Sequence, residues 1–197
     1  MKKVLVPLAP GFEEIEAITV IDILRRAGVE VVVAGTQPGP IEASRKTKHV
    51  PDCTLDDIRA EDFDMIVLPG GQPGTTNLRH DARLKRILET LQAKKRHIAA
   101  ICAAPSVLAA YGVLKGRVAT SHPSVRAEVA AGAKEVSDQR VVVDGPIVTS
   151  QAAGTAMEFA YALVEILCGA DKVAEVNGGV LARLRRLAPR CISRFAR

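Results

Sequence analysis

The sequence predicts an α/β protein built on a mostly parallel sheet with helices packed on both faces. Short apolar runs rich in β-branched residues alternate with segments of helical periodicity from the start of the chain. Those runs are almost uniformly apolar, which fits strands buried on both sides rather than on one. Glycine or proline turns close several of them. In such sheets ligands bind beyond the carboxyl ends of the strands, so the turns there are where a site is expected.

Lys3 to Leu8 reads as the first strand. Glu13 to Ala27 follows as a helix with apolar residues at 15, 18, 21 and 24, closed by Gly28. Glu30 to Ala34 is a β-branched strand, and the punctuated, basic stretch Ile41 to Pro51 suggests a short hairpin on one sheet edge. Met65 to Leu68 is a buried strand ending in Pro69-Gly70-Gly71. Asp81 is placed to cap a helix running to about Lys95, and Ile98 to Ile101 is the next buried strand. Val141 to Val143 and Ile147 to Ser150 flank Asp144-Gly145, a hairpin signal, and Thr155 to Leu167 reads as a helix.

The 197 residues, 48% hydrophobic and 25% charged, suit one globular domain over 1–180 followed by an Arg-rich tail over 181–197. Met1-Lys2-Lys3 and the apolar run after it imitate a signal peptide, but Pro7 and the early Glu13 and Glu14 favour a core strand. Ile98 to Leu114 is uncharged, yet it falls short of the ~20 residues of a membrane span and is interrupted by Pro105 and Gly112. Cys53, Cys102, Cys168 and Cys191 show no metal or disulfide spacing, which suits a reducing cytoplasmic setting and no resident metal or cofactor. Six arginines (Arg183, Arg185, Arg186, Arg190, Arg194 and Arg197) exceed the whole net charge of +5, leaving the rest of the chain near −1. Leu181, Leu184 and Leu187 would give that tail a helical stripe, although a solvated, frayed terminus is the commoner outcome. No membrane partner is expected, and nucleic acid only through the tail.

Chemistry concentrates at Cys102. The run Ile98-Ala99-Ala100-Ile101 meets Cys102-Ala103-Ala104 and then Pro105, a residue favoured at the first position of a helix. Strand, tight turn and helix in that order form a nucleophile elbow, with Ala100 and Ala104 relieving crowding. A helix N-terminus also favours thiolate over thiol. The competing reading of Cys102 is a small apolar core residue. Gly70 and Gly71 are placed to bring a backbone N–H to a substrate oxygen, with the Ala103 N–H as a second donor; an ordinary turn is the alternative. Glu16, one turn into the first helix, would have a raised pKa beside a sulfur anion, or else be solvated among Glu13 and Glu14. His122, in Ser121-His122-Pro123, is the best placed of four histidines for general base, against a purely structural role. His49, His80 and His97 read as surface. Arg26 and Arg45 either bind an anion or are simply solvated.

Four segments together resemble the DJ-1/ThiJ/PfpI superfamily, nearest its DJ-1 and YajL branch, over about residues 2 to 180. They are Leu5-Val6-Pro7-Leu8-Ala9-Pro10-Gly11-Phe12-Glu13-Glu14-Ile15-Glu16-Ala17, Val67-Leu68-Pro69-Gly70-Gly71, Ala99-Ala100-Ile101-Cys102-Ala103-Ala104-Pro105, and Thr149-Ser150-Gln151 with Gly154-Thr155-Ala156. The resemblance implies a flavodoxin-like sandwich, a homodimer, and a reactive Cys102 whose thiolate or sulfinate is held by a protonated Glu16. It also implies an oxyanion pocket from the N–H groups of Gly71 and Ala103, with His122 nearby and Arg26 and Arg45 near the dimer interface and redox site. PfpI-type proteases carry histidine directly after the nucleophile; Ala103 stands there, so peptidase activity is not expected. Val50 and Ala43 occupy positions of peripheral cysteines in animal relatives, so regulation through those is not carried over.

The implied functions share one thiolate. The first is a cofactor-independent glyoxalase, with a disputed protein deglycase activity, acting on a small 2-oxoaldehyde. The second is a redox sensor or chaperone for client proteins, with Cys102 oxidised to sulfenic or sulfinic acid. A flavin protein lacks support in a chain without Trp or a phosphate-cradling first turn, and a class I amidotransferase lacks its His-x-Glu pair.

Overall fold

The structure is a computed structural model that describes residues 1–183. Its strands are β1 (Lys3–Leu8), β2 (Glu30–Gly35), β3 (Ile41–Glu42), β4 (Lys48–His49), β5 (Cys53–Thr54), β6 (Met65–Leu68), β7 (His97–Ile101), β8 (Val118–Ala119), β9 (Glu135–Val136), β10 (Val141–Asp144) and β11 (Ile147–Ser150). Its helices are α1 (Glu14–Arg26), α2 (Gly74–His80), α3 (Ala82–Ala93), α4 (Pro105–Ala110), α5 (Arg126–Gly132), α6 (Ala156–Cys168) and α7 (Ala170–Val180). The central sheet runs β10-β11-β7-β6-β1-β2-β5 and is parallel except for the β10–β11 hairpin.

Period-two alternation divides the core into two layers. Val4, Val6, Met65, Val67, Ala99 and Ile101 face α1, α6 and α7, meeting Val20, Leu24, Phe159 and Leu163. Leu5, Ile66, Leu68, Ile98 and Ala100 point the other way, onto α2, α3, α4 and α5 through Leu78, Leu88, Val107 and Val129. All of these are buried, which is why the strands read as continuous apolar runs. The uncharged stretch from Ile98 is therefore a buried strand followed by a short buried helix, and no helix among the described residues is long and apolar enough to cross a membrane.

Three expectations need correction. Ile15 and Ile18 do not face the core: they are 56% and 38% exposed, and α1 packs through Ala17, Val20, Ile21, Ile23 and Leu24. The expected stripe holds at Ile21 and Leu24 but not at Ile15 and Ile18, because the helix is apolar over more than one face and its first turns are buried through Ala17 and Val20 instead. The hairpin over Ile41 to Pro51 forms, but as a separate β3–β4 ribbon; the sheet edge is β5. His97 is not a surface residue, since it opens β7 half-buried. The helices α2, α5 and α7 escaped the sequence reading, being short or interrupted by glycine. Most of the Arg-rich tail lies outside the described residues; α7 stops at Leu181, which adopts a left-handed conformation (φ 57°).

Candidate active site

Parallel strands β1, β6 and β7 end side by side, so the segments leaving them meet at one rim of the sheet. After β7 the chain turns at Cys102, whose φ of +63° is a left-handed conformation that costs a non-glycine residue about 1–2 kcal/mol. Two backbone bonds hold it there. The Cys102 N–H donates to the Ser150 carbonyl at 3.0 Å, and the Cys102 carbonyl accepts from the His122 N–H at 2.8 Å. The elbow geometry thus rests on neighbouring segments rather than on local preference.

After β6 the turn must pass under the cysteine. A Cβ on Gly70 would lie 2.7 Å from both Cys102 Cβ and Glu16 Oε2, so only glycine fits. Gly71 has φ +89°, and its N–H, with that of Ala103, faces the Cys102 sulfur. After β1, Glu13 caps α1 by accepting the Glu16 N–H at 2.8 Å, and the Glu13 N–H donates to the Gly70 carbonyl at 3.0 Å. Those bonds carry Glu16 into the rim at 1% exposure, where Oε2 accepts the Gly70 N–H at 2.9 Å. Oε1 is buried without a hydrogen-bond partner.

The two functional groups raise each other's affinity for protons. Burial lifts Glu16 to about 7, helped by the charge of Glu13 and opposed by the Cys102 thiol and the N–H groups of Gly70 and Ala153. Burial first, and Glu16 second, lift Cys102 to about 12, against the pull of the Gly71 and Ala103 N–H groups. This corrects the expectation that the helix start would by itself favour the thiolate. Glu16 therefore ionises around neutral pH, while Cys102 holds its proton well above it.

The other predicted residues are more distant. His122 is tethered to Cys102 only through its backbone; its ring Nδ1 accepts the Ser124 N–H at 3.2 Å and lies 2.7 Å from the Ser124 hydroxyl. A neutral His122 therefore carries its proton on Nε2, the nitrogen left for chemistry. Arg26 pairs with Asp22 on the outer face of α1 at 2.7 Å, beside Ile18, and Arg45 is exposed on the β3–β4 turn, held by its own backbone N–H to Glu14. Neither guanidinium is brought to Cys102 among the described residues.

A model of the DJ-1/PfpI family matches residues 2–166. The chain belongs to that family. Within it, Protein dj-1beta of Drosophila melanogaster is 42% identical over 181 residues, 91% of this chain and 97% of that protein. Its crystal structure superposes with a TM-score of 0.89 over 93% of this chain and 99% of that one. The glutathione-independent glyoxalase DJR-1.2 of Caenorhabditis elegans is 38% identical over 172 residues, 87% and 91% of the two chains. Oxidized Toxoplasma gondii DJ-1 is 37% identical, with a TM-score of 0.88 over 93% of this chain and all of that one. The flavodoxin-like sandwich of the family is the fold described above.

Two contributors went unnoticed in the sequence. Ala153, in the turn after β11, has a backbone N–H that slightly favours the charged form of Glu16. Glu14 is also buried: its carboxylate accepts from the Ser44 hydroxyl at 3.0 Å, the Arg45 N–H at 2.8 Å and the Thr47 hydroxyl at 3.1 Å. Glu14 and Glu16 lie two positions apart, roughly 200° around a helix, so one grips the hairpin while the other enters the site. That angular separation is the signal a sequence reading can use.

Proposed function

We propose that this protein is a cysteine-dependent protective enzyme that converts reactive 2-oxoaldehydes such as methylglyoxal into 2-hydroxy acids. The observation that carries the reading is the juxtaposition of Cys102 with the buried Glu16 and with the N–H groups of Gly71 and Ala103. A relative named as a glutathione-independent glyoxalase supports it.

In the proposed reaction Cys102 Sγ attacks the aldehyde carbon. The carbonyl oxygen becomes an oxyanion held by Gly71 and Ala103, and takes up a proton to give a hemithioacetal. The hydrogen on that carbon then leaves as a proton to Glu16, forming an enediol. Reprotonation at the neighbouring carbon leaves a thioester of the 2-hydroxy acid. Water hydrolyses that thioester and returns the thiol, so the sequence is an internal redox shift plus one water. His122 Nε2 is proposed as a proton carrier to solvent. The setting is a reducing cytoplasm that keeps Cys53, Cys102 and Cys168 free.

A second reading is favoured by the buried, unpartnered Oε1 of Glu16. A protonated Oε1 would donate to an oxygen on Cys102 once a peroxide had oxidised the thiolate to sulfenic or sulfinic acid, with reduction of the peroxide to water or alcohol. The protein would then act as a redox sensor or chaperone for client proteins. We also propose a homodimer, whose contact is the outer face of α1 with its exposed Ile15 and Ile18.

Lactate formed from methylglyoxal by the purified protein separates the readings. Turnover lost in Cys102→Ser supports the enzyme. Turnover surviving that substitution overturns the mechanism, and an inactive parent protein whose Cys102 oxidises readily favours the sensor.

A further inference from the structure

The segment 118–122 carries the backbone N–H that grips the Cys102 carbonyl, yet it is not a strand of the central sheet. Its opening residues, β8, pair only with β9 in a separate two-stranded ribbon. In extended chain the backbone groups of alternate residues point the same way. Along one edge of this segment the carbonyls of Arg117 and Ala119 accept the Lys134 and Ser137 N–H groups, each at 2.8 Å. Along the other edge, the N–H groups at 118, 120 and 122 find acceptors of three different kinds. Val118 donates to Oδ2 of Asp144 at 2.8 Å, Thr120 to Oγ1 of Thr149 at 2.9 Å, and His122 to the Cys102 carbonyl at 2.8 Å. Asp144 ends β10, where Arg117 braces its Oδ1 at 3.3 Å, and Thr149 lies in β11, paired with Ala100 of β7. Thr120 and Thr149 are both 0% exposed. The next residue of β11, Ser150, supplies the carbonyl that accepts the Cys102 N–H, so the bonds form a closed ring through Cys102, Ser150, Thr149, Thr120 and His122.

We infer that Thr149 and Asp144 are positioning residues: their side-chain oxygens set the register of the segment 118–122, which places the His122 N–H on the Cys102 carbonyl and holds the cysteine in its left-handed conformation. The inference rests on the reading of Cys102 as the reactive thiol. A non-glycine residue stays at positive φ only where its surroundings over-determine it. One of the two backbone grips on Cys102, the Ser150 carbonyl, is fixed by the pairing of β11 with β7. The other, the His122 N–H, belongs to a segment outside that sheet, and its two preceding N–H groups on the same edge are held by side chains. Register there depends on the side chains at 144 and 149 rather than on strand pairing. Without the Thr149 hydroxyl the buried Thr120 N–H is left without an acceptor, a cost that drives the segment to shift until the group finds one. That shift draws His122 off the Cys102 carbonyl and releases the elbow, so that the sulfur no longer lies where the Gly71 and Ala103 N–H groups face it.

The test is the rate of Cys102 alkylation by iodoacetamide in the full-length protein, followed by mass spectrometry well below the unfolding transition, with the exposed Cys168 as internal reference. Thr149→Val keeps the shape but removes the acceptor, and is expected to slow Cys102 by about threefold to tenfold while Cys168 reacts as in the parent. Slowing is diagnostic, because general loosening would expose the half-buried thiol and quicken it. Thr149→Ser restores the hydroxyl and is expected to return the parent rate. Asp144→Ala, at a partly exposed position, removes the acceptor at the other end of the segment and gives a smaller slowing, whereas Asp144→Asn keeps an oxygen there and reacts as the parent does. Alkylation of folded Thr149→Val at the parent rate or faster overturns the positioning role alone; if that variant does not fold, a parent-like or faster rate in Asp144→Ala overturns it. Slowing in Thr149→Ser equal to that in Thr149→Val overturns the assignment to the hydroxyl. A parent protein whose Cys102 is not alkylated overturns the reading of a reactive thiol, and this role with it.

Discussion

The Gly70 N–H donates to Oε2 of Glu16 at 2.9 Å, which joins the first helix to the turn after β6 and leaves no room for a side chain between them. Gly70→Ala would place a methyl group 2.7 Å from Cys102 Cβ and Glu16 Oε2 and 2.9 Å from the Ile101 carbonyl. Two of those three neighbours are backbone or near-backbone atoms that cannot swing aside. Overpacking of this kind costs about 1–3 kcal/mol or somewhat more. Denaturant unfolding is expected to show that loss together with slower alkylation of Cys102. Unchanged stability with normal alkylation would contradict the packing described.

Glu16 should make stability fall with alkalinity. Its folded value of about 7 lies above its ordinary 4.5, so the folded state binds the proton more tightly. The associated stability is fully present below about pH 4.5 and is lost as pH rises through about 7, a penalty of roughly 3 kcal/mol. Glu16→Gln keeps an acceptor for the Gly70 N–H and cannot ionise. It is expected to raise unfolding free energy at pH 8 relative to the parent, with the gain vanishing near pH 5, while activity is lost. A gain that is flat across this range would show that Glu16 does not titrate in the window.

Glu14 behaves in the opposite sense. Burial works against its charge, but backbone N–H groups and the hydroxyls of Ser44 and Thr47 outweigh it and hold the carboxyl below 4.5. Its contribution is therefore present above 4.5 and lost as pH falls through the lower folded value. Glu14→Gln should cost about 1–2 kcal/mol at pH 7 by leaving donors short of a full acceptor, and less in acid. Hydrogen exchange is expected to rise in the β3–β4 ribbon, and a uniform rise elsewhere would remove Glu14 as its anchor.

Legibility followed the range of the interactions. Apolar runs and the Pro105 start made β1, β6, β7 and α4 readable, because their signals lie within a few adjacent residues. Cys102, Gly70 and Gly71 were readable for the same reason, each sitting where a run ends. Ser150, whose carbonyl holds the Cys102 N–H, reaches the site only because β11 pairs with β7, a pairing of residues 49 apart in sequence that no local pattern encodes. The outward turn of Ile15 and Ile18 was hidden because α1 carries apolar residues on several sides and the sheet decides which row it covers. The thiolate expected at Cys102 from the helix start also failed for a long-range reason: burial by several segments outweighs the start of α4.

That exposed row makes the proposed dimer testable. Ile15 and Ile18 border a groove of 620 Å³ with Ile23, Met157 and Val180, while Asp22 and Arg26 pair on its edge. Large apolar side chains left open on a helix whose other faces are buried mark a surface that a partner covers. A second copy of α1 would bring the same residues against themselves, as a two-fold interface requires. Ile18→Glu would set like charges facing each other across that axis, and is expected to shift the protein from dimer to monomer in sedimentation velocity. Cys102 lies in the rim rather than the groove, so its alkylation should survive that change. A parent protein that sediments as a monomer at high concentration, or an Ile18→Glu variant that remains dimeric, would place the contact elsewhere or remove it.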